Sequence, residues 1–229
     1  MNAATSHARA DDGELAQLMS AGAAQLHMTL SDADLVRLID YVRLVERWNA
    51  TYNLTAIREP REMVTHHLLD CLAAVSALVR RRGQGRGERV VDVGSGAGLP
   101  GIVIALVCPG RDVTCVDSVG KKAAFITHVA GTLALKNVRA VHARIEDVAD
   151  RFDVIASRAF ASLGDFVTAT SRVLDRSGAW MAMKGKVPEA ELHALGAQVR
   201  FHVEPLNVPY LSAERCLVWI ERTEASTRS

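Results

Sequence analysis

Residues 89–117 read RVVDVGSGAGLPGIVIALVCPGRDVTCVD. A short apolar run, Val90 to Val93, is interrupted only by Asp92, and glycines then crowd at Gly94, Gly96, Gly98 and Gly101. An apolar helical segment, Ile102 to Val107, leads through a Pro-Gly break to a β-rich run ending at Asp117. Strand, glycine turn, helix, strand, acid is the first half of a dinucleotide-type βαβ unit. Glycines there let backbone N–H groups approach a ligand without obstruction by Cβ. The second strand delivers a carboxylate about twenty residues on to take ribose hydroxyls.

The spacing leaves two cofactor classes open. A pyrophosphate turn needs G-x-G-x-x-G starting where the strand ends. Counted from Gly94, the third glycine position is Leu99. Counted from Gly96 the string is met by Gly96, Gly98 and Gly101, but two residues late and with Pro100 inside it. Asp92 tilts the balance, because a carboxylate beside the turn repels a pyrophosphate and tolerates a sulfonium. S-adenosylmethionine (SAM) therefore suits these residues better than a nicotinamide dinucleotide.

With 229 residues, 49% hydrophobic and 23% charged, the chain has the composition of an ordinary globular protein able to bury a full core. No apolar run approaches the roughly 20 residues that span a bilayer, and the N-terminus lacks the apolar core of a signal peptide. Cys71, Cys108, Cys115 and Cys216 form no C-x-x-C pair and read as reduced core residues of a cytosolic protein. A net charge of +1 excludes a globally basic nucleic-acid binder, so any nucleic-acid contact must be a local patch. No surplus apolar stripe demands a partner, and the chain is expected to act as a monomer.

Outward from the opening unit, the periodicity predicts an all-helical N-terminal third. Residues 1–13 read as a disordered tail. Leu15, Leu18, Met19, Gly22 and Leu26 keep helical spacing. Ser31 opens a capping-box-like S-D-A-D, and the helix after it ends near Trp48 or Asn49. Asn53-Leu54-Thr55 reads as a turn, and Pro60 starts a helix with Val64, Leu68, Cys71, Leu72, Val75, Leu78 and Val79 inward. Arg80 to Arg89 is a glycine-arginine connector, either a solvated link or a phosphate-contacting strip.

After Asp117 the alternation continues. A helix over 120–133 is followed by a strand over 138–142 and another over 152–156. A helix over 163–174, a turn at Gly178 and a strand over 180–183 come next, then a short helix from Pro188. Strands near 199–203 and 216–220 read as an antiparallel hairpin at the sheet edge. The expected organisation is a helical subdomain over 14–82, a connector over 83–88, an α/β domain over 89–222 and a tail over 223–229. Five strands in βα alternation and two adjacent ones fit the seven-stranded, mostly parallel, Rossmann-like sheet of SAM-dependent methyltransferases. In such sheets ligands lie at the carboxyl ends of the strands. There the chain offers Gly94 and Leu99, then Asp117, then Ile145 and Glu146, then Arg158, then Lys184.

The segments WNATYNLTAI, HHLLDCL, DVGSGAGLPGI, DSVGKKAAF, ARIED, SRAFASL and MKGKVPEAEL match in order and spacing the RsmG (GidB) family, and the chain resembles it from about Leu26 to Ile220. That resemblance implies a cytoplasmic enzyme that transfers methyl from SAM to N7 of a specific guanine, guanine 527, in 16S rRNA. The partner it implies is the small ribosomal subunit or its precursor. The family's cofactor contacts fall on Gly94, Leu99, Ile145, Glu146 and Arg158, with Asp117 as the ribose acceptor. Cys71, Ser95 and Cys216 depart from the family's usual serine, threonine and histidine, and Lys121-Lys122 from its Lys-Arg pair.

Guanine N7 carries a lone pair and no proton, so its methylation needs positioning rather than a general base, and no catalytic dyad is expected. Arg158 and Phe160 are candidates for holding the base, with Lys121, Lys122, Arg144, Lys184 and Lys186 for phosphates. Each has a bland alternative: Phe160 in the core, the lysines as solvated helix charges, Arg158 pairing with Asp92 or Glu146. His66, His67 and Asp70 have spacing a metal could use, but a hydrogen-bond cluster is the expectation and no metal is assigned. Trp48 and Tyr52 read as packing anchors before stacking platforms. Two rival functions remain: a nicotinamide-dependent oxidoreductase, and a non-catalytic rRNA- or ribosome-binding protein on a methyltransferase scaffold.

Overall fold

A computed structural model describes residues 11–158 and 160–223. Most of both expected tails lies outside this range. Asp12 and Gly13, placed in the tail by the sequence reading, belong to α1 (Asp12–Gln25). α2 (Asp32–Tyr52) starts on a full capping box between Ser31 and Asp34. It ends at Asn53, whose φ of 49° is the left-handed conformation that asparagine tolerates. α3 (Pro60–Met63) and α4 (Asp70–Arg82) are joined by a π-wound turn, Val64–Leu69, into one helix with Pro60 in its first turn. This helix, Pro60–Arg82, is long and apolar enough to cross a membrane by length and composition, against the expectation from the sequence. Most of it is buried inside the fold, because it is the central core helix of the N-terminal third.

Seven strands follow: β1 (Arg89–Val93), β2 (Asp112–Asp117), β3 (Val138–His142), β4 (Phe152–Ser157), β5 (Leu174–Lys184), β6 (Val199–Pro205) and β7 (Cys216–Arg222). Their order is β3-β2-β1-β4-β5-β7-β6. The first five run parallel, and β7 and β6 are antiparallel, as expected of the edge hairpin. The chain winds outward from β1 to β3, then crosses to the other side of β1 for β4. That reversal opens a crevice at the carboxyl ends of β1 and β4.

α5 (Gly101–Val107), α6 (Gly120–Thr132) and the N-terminal helices cover one sheet face; α7 (Leu163–Thr170) and α8 (Glu189–His193) cover the other. Strand alternation sorts the side chains: Val90 joins the first core, Val91 and Val93 the second. The N-terminal helices share that first core with the sheet. Trp48 packs on Phe125 and His128 of α6 at ring separations of 5.3 and 5.4 Å, so it is a packing anchor.

Two expectations are corrected. The helix after β4 stops at Thr170, and β5 begins at Leu174 rather than Trp180. Gly178 lies within that strand: the register with β4 shifts between Phe152 and Val154, and a Cβ at Gly178 would stand 2.7 Å from Leu174 and 3.1 Å from the Asp153 carbonyl. It is a bulge glycine, not a turn glycine. The arginine run is no loose link either. Arg80 pairs with Glu204, Arg81 with Glu221 and Arg82 with Glu88, while wholly buried Arg111 donates to Glu88 and to the Gly83 carbonyl. Pairing with acids leaves that run little free charge for phosphates.

Candidate functional site

The glycines after β1 divide by what a side chain would meet. Gly94 (φ 69°) is exposed and a Cβ there would touch nothing, whereas at Gly98 it would stand 2.7 Å from Ile102 and at Gly101 2.6 Å from the Cys115 sulfur. Gly94 thus presents open backbone, and Gly98 and Gly101 allow α5 to pack. Leu99 is buried in the core, so its side chain faces away from the crevice. From behind, the wholly buried Tyr41 of α2 donates its hydroxyl to the Ala97 carbonyl at 2.7 Å.

Asp117, at the end of β2, is 4% exposed. One carboxylate oxygen accepts the Gly96 N–H and the other the Val119 N–H, both at 2.9 Å, and Lys122 lies 3.9 Å away. The acid expected to hold a ribose therefore also braces the glycine turn. Asp92 takes a different place from the one expected. Strand alternation turns it under α5, where it accepts the Gly101 N–H at 2.9 Å, and its Oδ1 has no hydrogen-bond partner among the described residues. Burial pushes its carboxyl up to about 7. Fully enclosed, it is a brace at the start of α5 and presents no charge to the crevice.

Past β3, Ile145 is buried and Glu146 and Arg144 are exposed. Glu146 borders a cavity of about 560 Å³ with Phe160, Asp165 and Arg172, and Phe160 packs against Phe166 at 5.2 Å. Lys121 and Lys186 are exposed. Lys184 is not free: it bridges Glu191 at 2.9 Å and reaches the Phe160 carbonyl.

Arg158, after β4, pairs with neither Asp92 nor Glu146. Its Nη1 donates to His67 Nδ1 at 3.2 Å and to the His66 carbonyl at 3.4 Å, and lies 3.9 Å from Asp70. The other His67 nitrogen meets Thr55 Oγ1 at 2.8 Å, and Asn49 accepts the Thr55 N–H. Arg215 donates to the other Asp70 oxygen at 3.1 Å. This chain of bonds ties the NLT turn and the π-wound turn to the end of β4 and the start of β7, around a cavity of about 450 Å³. Sequence reasoning missed Asn49, Asp70 as an Arg158 partner, and Arg215. The HHLLD spacing, read as a hydrogen-bond cluster in preference to a metal site, is the signal that points here, and His66, His67 and Asp70 do meet in such a cluster around Arg158. Among the described residues no group of three or more His, Cys, Asp and Glu is arranged to hold a metal ion.

Burial, helped by the Arg158 charge, lowers His67 to about 4. Between pH 4 and its ordinary 6.5 the unfolded chain carries a proton there that the folded chain lacks, so His67 makes stability rise with pH. Asp92 acts in the opposite sense from 3.8 to about 7, because the folded chain keeps a proton the unfolded chain has released. Urea midpoints at pH 4.5 and 6.5 are expected to separate the two. The midpoint should rise more steeply with pH in Asp92→Asn than in the parent, and less steeply in His67→Gln; parallel profiles in all three proteins would refute both assignments.

A sheet of this order, with an open glycine turn after β1 and a buried acid after β2, defines a Rossmann-like methyltransferase. Solved structures agree on the fold: TrmN from Thermus thermophilus superposes with a TM-score of 0.54 at 18% identity, over 70% of this chain and 53% of that one. MtNAS in complex with MTA and tNA superposes with a TM-score of 0.57 at 16% identity, over 92% and 86%. The chain belongs to the GidB family, rRNA small subunit methyltransferase G, whose profile matches residues 34–218. Relatives named ribosomal RNA small subunit methyltransferase G include those of Acidovorax ebreus, 54% identical over 87% of this chain and 92% of that one, and Methylibium petroleiphilum, 51% identical over 93% and 96%. The family sets aside the oxidoreductase reading and the non-catalytic one.

Proposed function

We propose that this enzyme transfers a methyl group from SAM to N7 of a guanine in 16S rRNA, guanine 527 by family resemblance. It would work as a monomer in the cytoplasm, on the small subunit or its precursor. The observation that carries the reading is the convergence at one rim: exposed Gly94 between buried Asp117 on one side and the Arg158 cavity on the other. The residues fit such a nucleoside, because the space above Gly94 is open and Asp117 retains lone pairs beyond its two backbone bonds.

When bound, SAM supplies an electrophilic methyl group on a positively charged sulfur. Gly94 and the main chain at Leu99 would border it, Asp117 would accept from the ribose, and Ile145 and Glu146 would frame the adenine. Arg158, fixed by His67 and the His66 carbonyl, stands beside the acceptor base, with Phe160 bordering the neighbouring cavity. N7 has no proton to lose, so the residues here orient the base and exclude water. A neutral His67, bonded at both nitrogens, suits that role. Lys121, Lys122, Arg144 and Lys186 would take phosphates of the surrounding RNA; Lys184, held by Glu191, would shape the rim.

The test is transfer of radiolabel from SAM to small subunits that lack the mark, followed by mass mapping of the rRNA. One added methyl on a guanine, with the N7-specific sensitivity of that base to chain cleavage, is expected. A methyl on another atom or another rRNA would overturn the proposal.

A further inference from the structure

The 450 Å³ cavity is lined by His66, His67, Asp70, Arg158, Lys184 and Arg215, with Ile57 and Met183 as apolar walls. Its carboxylate is unusual in being 4% exposed and half-used. Asp70 Oδ1 accepts from Arg215, but Oδ2 has only the Arg158 guanidinium at 3.9 Å, with no donor at hydrogen-bond distance among the described residues. The π-wound turn that ends at Leu69 sets this side chain at the cavity wall, with His67 turned to Arg158. π-wound turns inside helices concentrate at functional sites, where they re-aim side chains.

We infer that Asp70 reads the Watson–Crick edge of the acceptor guanine and so selects guanine over adenine. This rests on the function proposed above. Both purines offer an N7, so methylation there requires a discriminator elsewhere on the base. Guanine's N1–H and 2-amino group form a donor pair at the opposite end of the ring system from N7. Adenine has an acceptor at N1 and nothing at C2. A carboxylate with one open oxygen, and a second lone pair on the other, accepts the guanine pair and confronts adenine N1 with like partial charge. A site that relies on a hydrogen-bond partner rejects the analogue lacking it far more strongly than an apolar slot does.

The same contact strengthens during the reaction. The sulfur–carbon bond breaks as the carbon–N7 bond forms, no proton leaves N7, and the positive charge passes from sulfur to the purine. N1–H becomes a stronger donor in the cationic base, so its bond to Asp70 grows toward the transition state, and the effect falls on kcat more than on KM. Burial pushes the Asp70 carboxyl above its ordinary range, and the Arg215 and Arg158 guanidiniums beside it oppose that push.

Small subunits reconstituted with 16S rRNA carrying inosine at the methylated position test this with the unaltered protein, since inosine lacks only the 2-amino group. At least a tenfold lower kcat/KM than on guanosine-bearing subunits is expected. The folded Asp70→Asn variant should lose about a hundredfold on guanosine, mainly in kcat, and discriminate against inosine less than threefold. Free of turnover, nuclear magnetic resonance titrations should show GMP binding at least threefold tighter than IMP to the parent, and equally to the variant. Equal use of inosine and guanosine by the parent, or a variant within twofold of it, overturns the inference while leaving the proposed methylation intact. Absence of transfer by the parent overturns the methylation itself.

Discussion

Asp117→Ala is expected to weaken SAM binding by roughly 100-fold or more, the equivalent of two charge-assisted hydrogen bonds to ribose. The loss should exceed that of an ordinary ligand contact because Asp117 also holds the Gly96 and Val119 N–H groups. Removing the carboxylate strands two backbone donors next to the glycine turn, at about 1 to 3 kcal/mol each where they stay buried. Asp117→Asn keeps one acceptor and should fall between the parent and the alanine variant. Calorimetric titration with SAM, alongside a urea melt of each protein, separates ligand loss from instability. Unchanged SAM affinity in a folded Asp117→Ala protein would falsify the ribose assignment.

The second large effect is on folding. A Cβ at Gly101 would sit 2.6 Å from the Cys115 sulfur and 3.0 Å from Asp92, and both neighbours stand on central strands that cannot retreat. Gly101→Ala should cost about 3 kcal/mol by forcing α5 off the sheet, and lower the melting temperature by roughly 6 to 12 °C. Because α5 follows the glycine turn, SAM affinity should fall with it. Cys115→Ala in the same chain removes the sulfur in the way and should recover a good part of the loss. A melting temperature within about 2 °C of the parent's would show that α5 has slack that the spacing denies.

Much of this architecture was legible in the chain itself. The first βαβ unit announces itself because glycines, β-branched runs and the terminal acid sit at local, periodic spacings, and β1, β2 and β3 fall within a residue of expectation. The edge hairpin was legible for the same reason. β5 was not, because its bulge at Gly178 looks like a turn until Leu174 is seen pairing with Phe152. At the rim, sequence could say which residues follow which strand, but not what each side chain reaches. Arg158 is brought to Asp70 across 88 positions and Arg215 to the same carboxylate across 145, and no local pattern encodes such pairings. Asp92 shows the complementary limit. Its strand was plain, yet its role turned on which face it points to and on how deeply α5 covers it. Lys184 looked like a free cation only because Glu191, seven residues on, could not be known to fold back on it.

The hydroxyl of Tyr41 seated on Ala97, with Trp48 locked against α6, bears on any effort to retarget such an enzyme. Target choice cannot be exchanged as a cassette by transplanting the first 82 residues from another methyltransferase, since the graft would bring a foreign underside to the donor turn. Redesign would have to proceed in place, one side chain at a time around the acceptor cavity, leaving the interleaved scaffold beneath it untouched.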